Sequence, residues 1–139
     1  MQADVLIIGS GIAGAVTALR LAQDEQRQIV LATRAAKPEE SNSVYAQGGI
    51  VGRSPEDSAS ILKEDILKAG AGLCNEEAVY LLAEIGPSIL NDILIDQLQV
   101  PFDIDKTGEI AYGLEGAHSA RRVLHVKDTT GRAIMLALL

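Results

Sequence analysis

The order of apolar and polar positions predicts an opening strand, helix and strand. Residues 3–8 are mostly aliphatic without polar alternation, which is typical of a fully buried strand. A glycine-rich turn follows, and residues 12–22 carry Ala, Leu and Val at helical spacing. The aliphatic run at 29–33 predicts a second buried strand. Residues 1–34 are therefore expected to begin a parallel, right-handed βαβ unit.

The pattern changes after this unit. Periodicity disappears over residues 35–53, where Ser and Gly accumulate, and a connection this long is usually functional or disordered. Ser54 as N-cap and Pro55 at the first helical position predict that a helix begins there. An apolar stripe continues to Gly70, which is placed to end the helix.

The remaining chain predicts two more helices and a hairpin. Asn75 should cap the first of these helices, and Gly86-Pro87 should interrupt it before a helical period resumes. Residues 100–113 resemble a small hairpin turned at 105–108. Asp128 is the expected N-cap of the last helix.

These elements predict an incomplete α/β domain. Its Rossmann-like βαβ start (1–34) is followed by the loop at 35–53 and by a mostly helical insertion with a small hairpin at 54–139. The chain finishes inside an apolar helix, and a doubly wound sheet needs more than two strands. We therefore expect residues 1–139 to be the N-terminal part of one domain, whose capping and C-terminal parts are absent.

Composition narrows the classes of function. The 12 basic and 19 acidic residues give a net charge of -7, which disfavours nucleic acid and anionic membrane surfaces as partners. No apolar run approaches the ~20 residues of a membrane span, and no signal peptide is recognisable. Cys74 is the single cysteine, so no internal disulfide and no cysteine-based metal site are expected. We predict no metal site, and the predicted compartment is the cytoplasm.

The turn after the first strand has the spacing of a dinucleotide-binding motif. In the G-x-G-x-x-G arrangement the glycines permit a tight turn, close approach of a pyrophosphate and close packing of helix on strand. The helix N-terminus adds partial positive charge. The alternative is a tight strand-to-helix turn without a ligand. The predicted contacts here are Gly9, Ser10, Gly11, Ile12, Ala13 and Gly14.

The position where an acid usually binds ribose hydroxyls holds a different residue. Twenty residues after Gly14 the chain has Arg34. An arginine there suits a 2′-phosphate or the adenosine end of a flavin dinucleotide, and it makes ordinary NAD binding less favourable. The alternative is a solvated charge at the end of the strand.

The loop at 41–50 is rich in hydroxyls, amides and glycines, which suit a planar ligand, although a flexible surface linker has the same composition. Its Ala-Gln-Gly-Gly-Ile segment, together with the glycine turn, resembles the FAD-binding region of the succinate dehydrogenase, fumarate reductase and L-aspartate oxidase family. The resemblance implies FAD contacts at Arg34 and in the turn. It adds contacts at Asn42, Ser43, Val44, Tyr45, Ala46, Gln47, Gly48 and Gly49.

Two features distinguish members of this family. The dehydrogenase flavoproteins commonly bond FAD through a His just before Ala-Gln-Gly-Gly, but residues 41–45 contain no His. The resemblance therefore implies non-covalent FAD. The stretch from Glu115 to His125, continued by Asp128 to Arg132, is similar to the Glu-Gly-x-His-Ser segment of L-aspartate oxidases. By that resemblance Glu115 is the catalytic candidate, binding the α-amino group of the substrate.

The same stretch also suits a dicarboxylate on its own chemistry, because it combines a carboxylate, imidazoles and guanidiniums. We place His118 and Arg122 second to Glu115. In the alternative interpretation, Arg121 and Arg122 are an exposed basic pair and the histidines are structural.

The resemblance implies FAD-dependent oxidation of L-aspartate to iminoaspartate, which feeds quinolinate and NAD biosynthesis. Oxygen or fumarate would accept the electrons, and quinolinate synthase is a possible recipient of the product. We expect residues 1–139 alone to be inactive, because other substrate-binding groups of the family lie in later segments. The alternatives are a succinate dehydrogenase or fumarate reductase-type flavoprotein, and a non-catalytic nucleotide-binding remnant.

Overall fold

The computed structural model describes residues 2–139. The chain is divided into two compact units. The first runs to Gln47 and includes Thr129–Leu139, and the second is Gly48–Asp128. The elements are β1 (Val5–Ile8), α1 (Ile12–Leu21), β2 (Ile29–Ala32), a 3₁₀-helix (Asn42–Tyr45), β3 (Ile50–Val51), α2 (Ala59–Ala69), α3 (Glu76–Leu90), a π-helix (Asn91–Gln97), β4 (Val123–Leu124) and α4 (Thr130–Leu138).

The first unit begins with the expected strand, helix and strand. β1 and β2 pair in parallel, with Val5 opposite Ile29 and Ile8 opposite Ala32. Ala15 of α1 is buried, and α1 contacts both strands. The prediction of a parallel βαβ start is thus confirmed as far as these elements reach.

The prediction that β1 is fully buried is wrong. Leu6 and Ile8 are 60% and 84% exposed, whereas Val5 and Ile7 are half-buried. Alternate side chains of a strand point to opposite faces of the sheet, and among the described residues of this unit α1 covers the face opposite Leu6 and Ile8. A continuous aliphatic run therefore did not distinguish a strand buried on both faces from one buried on a single face.

Helix α4 completes the first unit, where it contacts the 3₁₀-helix and α1. Ile134 and Met135 are its buried apolar side chains. The prediction that Asp128 caps α4 is wrong, because the N-cap is Thr129. The error is one residue along the chain, which is common where neighbouring polar residues all suit a cap.

In the second unit, α2 begins later than expected. Ser58, not Ser54, is the N-cap, and its side chain accepts a hydrogen bond from the Ile61 N–H. Ser54 instead begins a turn in which its carbonyl accepts from the Asp57 N–H. Gly70 is the C-cap, as predicted. A Ser-Pro pair occurs both at the start of helices and at the start of turns, so the sequence does not distinguish the two.

The prediction that Gly86-Pro87 interrupts the next helix is also wrong. Asn75 caps α3 as expected, accepting from the Ala78 N–H, but α3 continues through Pro87 to Leu90. Proline removes the hydrogen bond to the carbonyl four residues earlier, which here belongs to Ala83. The Arg53 guanidinium donates to that Ala83 carbonyl instead. The Ala83 carbonyl therefore keeps a hydrogen-bond partner, and the helix accommodates the proline.

The π-helix continues α3, so that Glu76–Gln97 is one helical segment of 22 residues. By length and mean hydropathy (1.5) this segment is long and apolar enough to cross a membrane, and 33% of its most apolar window is buried. Core helices of soluble proteins have the same properties, so this is weak evidence for a span. The sequence pattern alone does not predict this continuous segment, because the proline indicates a break.

A short antiparallel sheet and a hairpin complete the second unit. β3 pairs with β4, with Ile50 opposite Leu124. The hairpin expected at 100–113 consists of one bridge between Ile104 and Ile110, closed by a turn in which Gly108 has φ +90°. The core of this unit is aliphatic apart from one Phe. Its buried apolar residues are Leu62, Val79, Ala83, Leu90, Ile93, Leu94, Val100, Phe102, Val123 and Leu124.

Candidate functional site

The glycine turn has the geometry that the motif predicts. Gly9 has φ +108°, a conformation that side-chain-bearing residues rarely adopt. A Cβ at Gly14 would lie 1.9 Å from the Gly9 carbonyl oxygen, so α1 approaches the turn after β1 more closely than any side chain allows. The Gly9 N–H donates to the Ala32 carbonyl at 2.8 Å, which fixes the turn against the end of β2.

A cavity of about 600 Å³ opens at this turn. It contains one buried polar atom without a protein partner: the Ser10 side chain is in a residue only 2% exposed, and its Oγ makes no hydrogen bond within residues 2–139. An unpaired hydroxyl beside a helix N-terminus suits an anionic ligand, so the cavity fits the phosphates of a dinucleotide. The lining residues are Leu6, Ile8, Gly9, Ser10, Gly11, Ala32, Thr33, Arg34, Glu40, Ser41 and Asn42.

The 3₁₀-helix brings the second predicted segment to the same turn. The Ile12 N–H, the first of α1, donates to Ser43 Oγ at 3.1 Å. A Cβ at Gly11 would lie 3.2 Å from the same oxygen. The predicted cofactor residues Gly11, Ile12 and Ser43 therefore lie together although 31 positions separate Ile12 from Ser43. Of these three, Gly11 lines the cavity, together with Arg34 and Asn42.

Gly131 of α4 packs against the backbone of the 3₁₀-helix. Its N–H donates to the Ala46 carbonyl at 2.8 Å. A Cβ there would lie 2.1 Å from the Ser43 carbonyl oxygen and 2.7 Å from that of Ala46. Sequence reasoning did not identify this glycine as part of the site. The signals for it were its place in the stretch from Asp128 to Arg132 that continues the family resemblance, and a glycine in the first turn of a helix, where alanine is otherwise favoured.

Gly131→Ala should destabilise the protein by about 1–2 kcal/mol, because the cost of overpacking exceeds the gain in helix propensity. The matched control is Gly86→Ala in α3, where the new Cβ would meet only the Leu82 side chain, with Cδ1 at 3.4 Å and Cγ at 4.0 Å. That control should stabilise by about 0.5–1 kcal/mol. Urea unfolding of both variants checks the opposite signs, and a neutral or stabilising Gly131→Ala would contradict the packing.

In the second unit, Gly48 lies beside Glu115. A Cβ at Gly48 would be 3.3 Å from Glu115 Oε1. The predicted catalytic carboxylate thus lies against one of the predicted flavin-contacting residues. The neighbouring Gly49 has φ +156°, and a Cβ there would lie 2.4 Å from Val123 Cγ1. Packing on β4 is enough to explain the glycine at 49, and its contact with the cofactor stays a prediction.

A turn sets the position of Glu115. The His118 N–H donates to the Glu115 carbonyl at 2.9 Å, and the Glu115 side chain is exposed. His118 is half-buried, and its Nδ1 is a buried atom without a hydrogen-bond partner within the described residues. His118 therefore stays a secondary candidate.

The Arg122 side chain is inaccessible to a substrate in this structure, and it is not part of an exposed basic pair. Its side chain is fully buried and lies between two carboxylates. Nε and Nη2 donate to Asp57 at 2.8 and 2.9 Å, and Nη1 donates to Asp65 at 2.6 Å. Both expectations for Arg122 are corrected for one reason: its guanidinium is fully buried and paired with two carboxylates, so a third carboxylate has no access to it.

Asp65 is the centre of this buried network. Besides Arg122, it accepts from the Ser119 N–H at 2.8 Å and from Ser119 Oγ at 2.6 Å. Burial opposes ionisation of this carboxyl, but the hydrogen bonds from Ser119 and the charge of Arg122 outweigh it and hold the pKa of Asp65 far below its usual range. The hydrogen bonds to Asp57 raise the pKa of Arg122.

His125 also has a structural partner. Its Nδ1 lies 2.9 Å from Asp103 Oδ2, which accepts from the Lys127 N–H at 2.9 Å as well. The Lys127 hydrogen bond and then His125 lower the pKa of Asp103. The pairing supports the structural interpretation of this histidine.

The predicted cofactor residues fall in both units. Residues Gly9–Gly14, Arg34 and 42–47 belong to the first unit, and Gly48, Gly49 and Glu115 belong to the second. Among the described residues, no group of three or more His, Cys, Asp or Glu is arranged to hold a metal ion.

The sequence matches the FAD-binding domain family over residues 4–139, and the chain belongs to that family. FAD as the cofactor is thereby confirmed. The chain is similar to L-aspartate oxidases, with 42% identity to that of Halobacterium salinarum over 95% of this chain. It is also 42% identical to the L-aspartate oxidase of Nostoc sp. over 99% of this chain. It spans 25% and 23% of those two proteins.

Solved structures of related flavoproteins have the same mixed α/β fold. E. coli quinol fumarate reductase FrdA superposes with a TM-score of 0.91 at 25% identity, covering 99% of this chain and 23% of that one. Mycobacterium smegmatis Sdh1 superposes with a TM-score of 0.85 at 27% identity, covering 98% and 23%. The helices and small sheets are therefore those of the FAD-binding domain in this group.

Proposed function

We propose that this chain forms the FAD-binding part of an L-aspartate oxidase. The observation that carries the proposal is the carboxylate of Glu115 lying beside Gly48, within a sequence about 40% identical to L-aspartate oxidases. The enzyme would oxidise L-aspartate to iminoaspartate in the cytoplasm, for quinolinate and NAD biosynthesis. Oxygen or fumarate would accept the electrons, with quinolinate synthase as recipient of the product.

In this proposal the first unit holds the phosphates and the adenosine of FAD. The β1, α1 and β2 elements begin a Rossmann-like sheet, and the pyrophosphate lies at the turn Gly9–Gly14. The unpaired Ser10 hydroxyl in the cavity at this turn supports the position. Arg34 lies at the adenosine end, and Asn42 to Gly49 contact the remainder of the cofactor.

The second unit contributes substrate recognition. FAD, when bound, supplies the two-electron acceptor of the reaction. The carboxylate of Glu115 pairs with the ammonium group of L-aspartate and orients its Cα. A carboxylate at this position would disfavour a dicarboxylate without an amino group, because like charges repel.

A second candidate is a succinate dehydrogenase or fumarate reductase-type flavoprotein. The TM-score of 0.91 with fumarate reductase FrdA favours it. Two features of the sequence oppose it: residues 41–45 contain no His for a covalent flavin bond, and a carboxylate stands at position 115.

The two candidates differ in how the flavin is attached. In the full-length polypeptide that carries this segment, acid precipitation should release all of the flavin intact as FAD, because no His precedes Ala46 for a covalent link. Absorbance of the supernatant and of the denatured pellet measures the partition. Before precipitation, L-aspartate should bleach the flavin faster than succinate does. Flavin that stays with the denatured chain, together with faster bleaching by succinate, would favour the second candidate.

A further inference from the structure

No acidic residue follows the end of β2, but an acidic residue from the next loop lines the cavity at the glycine turn. Nucleotide-binding folds of this type usually bind ribose hydroxyls with an acid at the end of the second strand. Here β2 ends at Ala32 and is followed by Thr33 and Arg34, neither of which has a carboxylate. Glu40 nevertheless lines the same cavity as these two residues. The chain turns back there, with the Glu40 N–H donating to the Lys37 carbonyl at 3.1 Å.

Tyr45 holds the Glu40 carboxylate in position. The Tyr45 hydroxyl donates to Glu40 Oε1, and this hydrogen bond raises the pKa of Tyr45, so the tyrosine stays a neutral donor. Tyr45 is the last residue of the 3₁₀-helix that packs on Gly131. A carboxylate accepts several hydrogen bonds, so the bond from Tyr45 leaves capacity for a ligand.

The negative charge of Glu40 restricts which part of a nucleotide can lie beside it in this cavity. A carboxylate repels a diphosphate, and it would weaken nucleotide binding unless it accepted hydrogen bonds from the ligand. The vicinal hydroxyls of a ribose are donors that suit one carboxylate. We propose that Glu40 binds the ribose hydroxyls of the adenosine half of FAD, taking the part of the acid missing from β2. This inference rests on the proposed function of the cavity.

Isothermal titration of the flavin-free full-length polypeptide that carries this segment with ADP and 2′-deoxy-ADP tests the assignment. The parent chain should prefer ADP about ten- to a hundredfold, the effect of one hydrogen bond to a charged acceptor. Glu40→Ala should bind ADP more weakly by a similar factor and lose the preference. The matched control, Glu39→Ala, removes the same charge one residue away, at a position that does not line the cavity, and should keep the preference.

Whether Glu40→Ala binds ADP more weakly or more tightly distinguishes ribose binding by Glu40 from mere proximity to the phosphates. If Glu40 merely lies near the phosphates, Glu40→Ala should bind ADP more tightly and keep the preference, which would overturn the inference. Glu40→Gln, which retains a neutral acceptor, should show an intermediate preference, and far-UV circular dichroism reports its folding. If Glu40→Ala and Glu40→Gln both bind ADP and keep the preference for it over 2′-deoxy-ADP, Glu40 does not bind the ribose. The assignment of the cavity to a nucleotide would still hold. A parent chain that binds neither FAD nor ADP would overturn the proposed function and this inference together.

Discussion

Arg122→Met is expected to destabilise the second unit by about 3–5 kcal/mol. Methionine fills similar space but leaves Asp57 and Asp65 buried with no cation between them. The Asp57 side chain is fully buried, so water cannot replace the lost guanidinium hydrogen bonds. Equilibrium unfolding in urea measures the loss. The matched control is Arg121→Met, which removes the same charge from the exposed neighbouring residue and should stay within about 0.5 kcal/mol of the parent.

The pH dependence of stability distinguishes a lost ion pair from lost packing. In the parent, Asp65 has a pKa below its unfolded value, so its contribution is fully present above about pH 4 and is lost as the pH falls. In Arg122→Met the unpaired carboxylates should take up protons more readily. The destabilisation relative to the parent should therefore shrink between neutral and acidic pH. A difference that does not vary with pH would mean that packing, rather than charge, holds Arg122 in place.

The sequence predicts the glycine turn well because its requirements are local. Gly9 and Gly14 lie within one strand-to-helix turn, and the backbone conformation of Gly9 and the close contact between the two follow from the spacing alone. The caps at Asn75 and Gly70 are local in the same sense. Resemblance to a known family added the loop at 41–50, which composition alone did not distinguish from a surface linker.

Long-range partners explain the wrong predictions for Pro87 and Arg122. Pro87 remains in a helix because Arg53, more than 30 positions earlier, donates to the Ala83 carbonyl. Arg122 is buried because Asp57 and Asp65 converge on it from 65 and 57 positions away. No periodicity or spacing rule relates such residues, so their pairing is visible only in the folded chain. The exposed face of β1 is a further case, because burial depends on what packs against a strand.

Glu115 separates the two functional candidates most directly. In a full-length enzyme carrying this segment, Glu115→Gln should lower kcat/KM for L-aspartate about ten- to a hundredfold. The reason is charge: the ammonium group of aspartate pairs with a carboxylate, and glutamine offers it only a neutral acceptor. Fumarate has no ammonium group and would meet one negative charge fewer, so fumarate reduction should be unchanged or faster. The matched control is Glu109→Gln, an exposed acid of the same unit that should leave both activities as they are.

Both substrates are measured on one variant, so a defect in folding would lower both activities and is recognised as such. Flavin content per chain, determined after acid release, shows whether the cofactor site is intact, because Gly48 lies beside Glu115. With normal flavin content, a selective loss for aspartate assigns the amino group to Glu115. Equal losses on the two substrates would mean that Glu115 supports the loop at Gly48 without recognising the amino group. The aspartate specificity would then have to come from other residues of the enzyme.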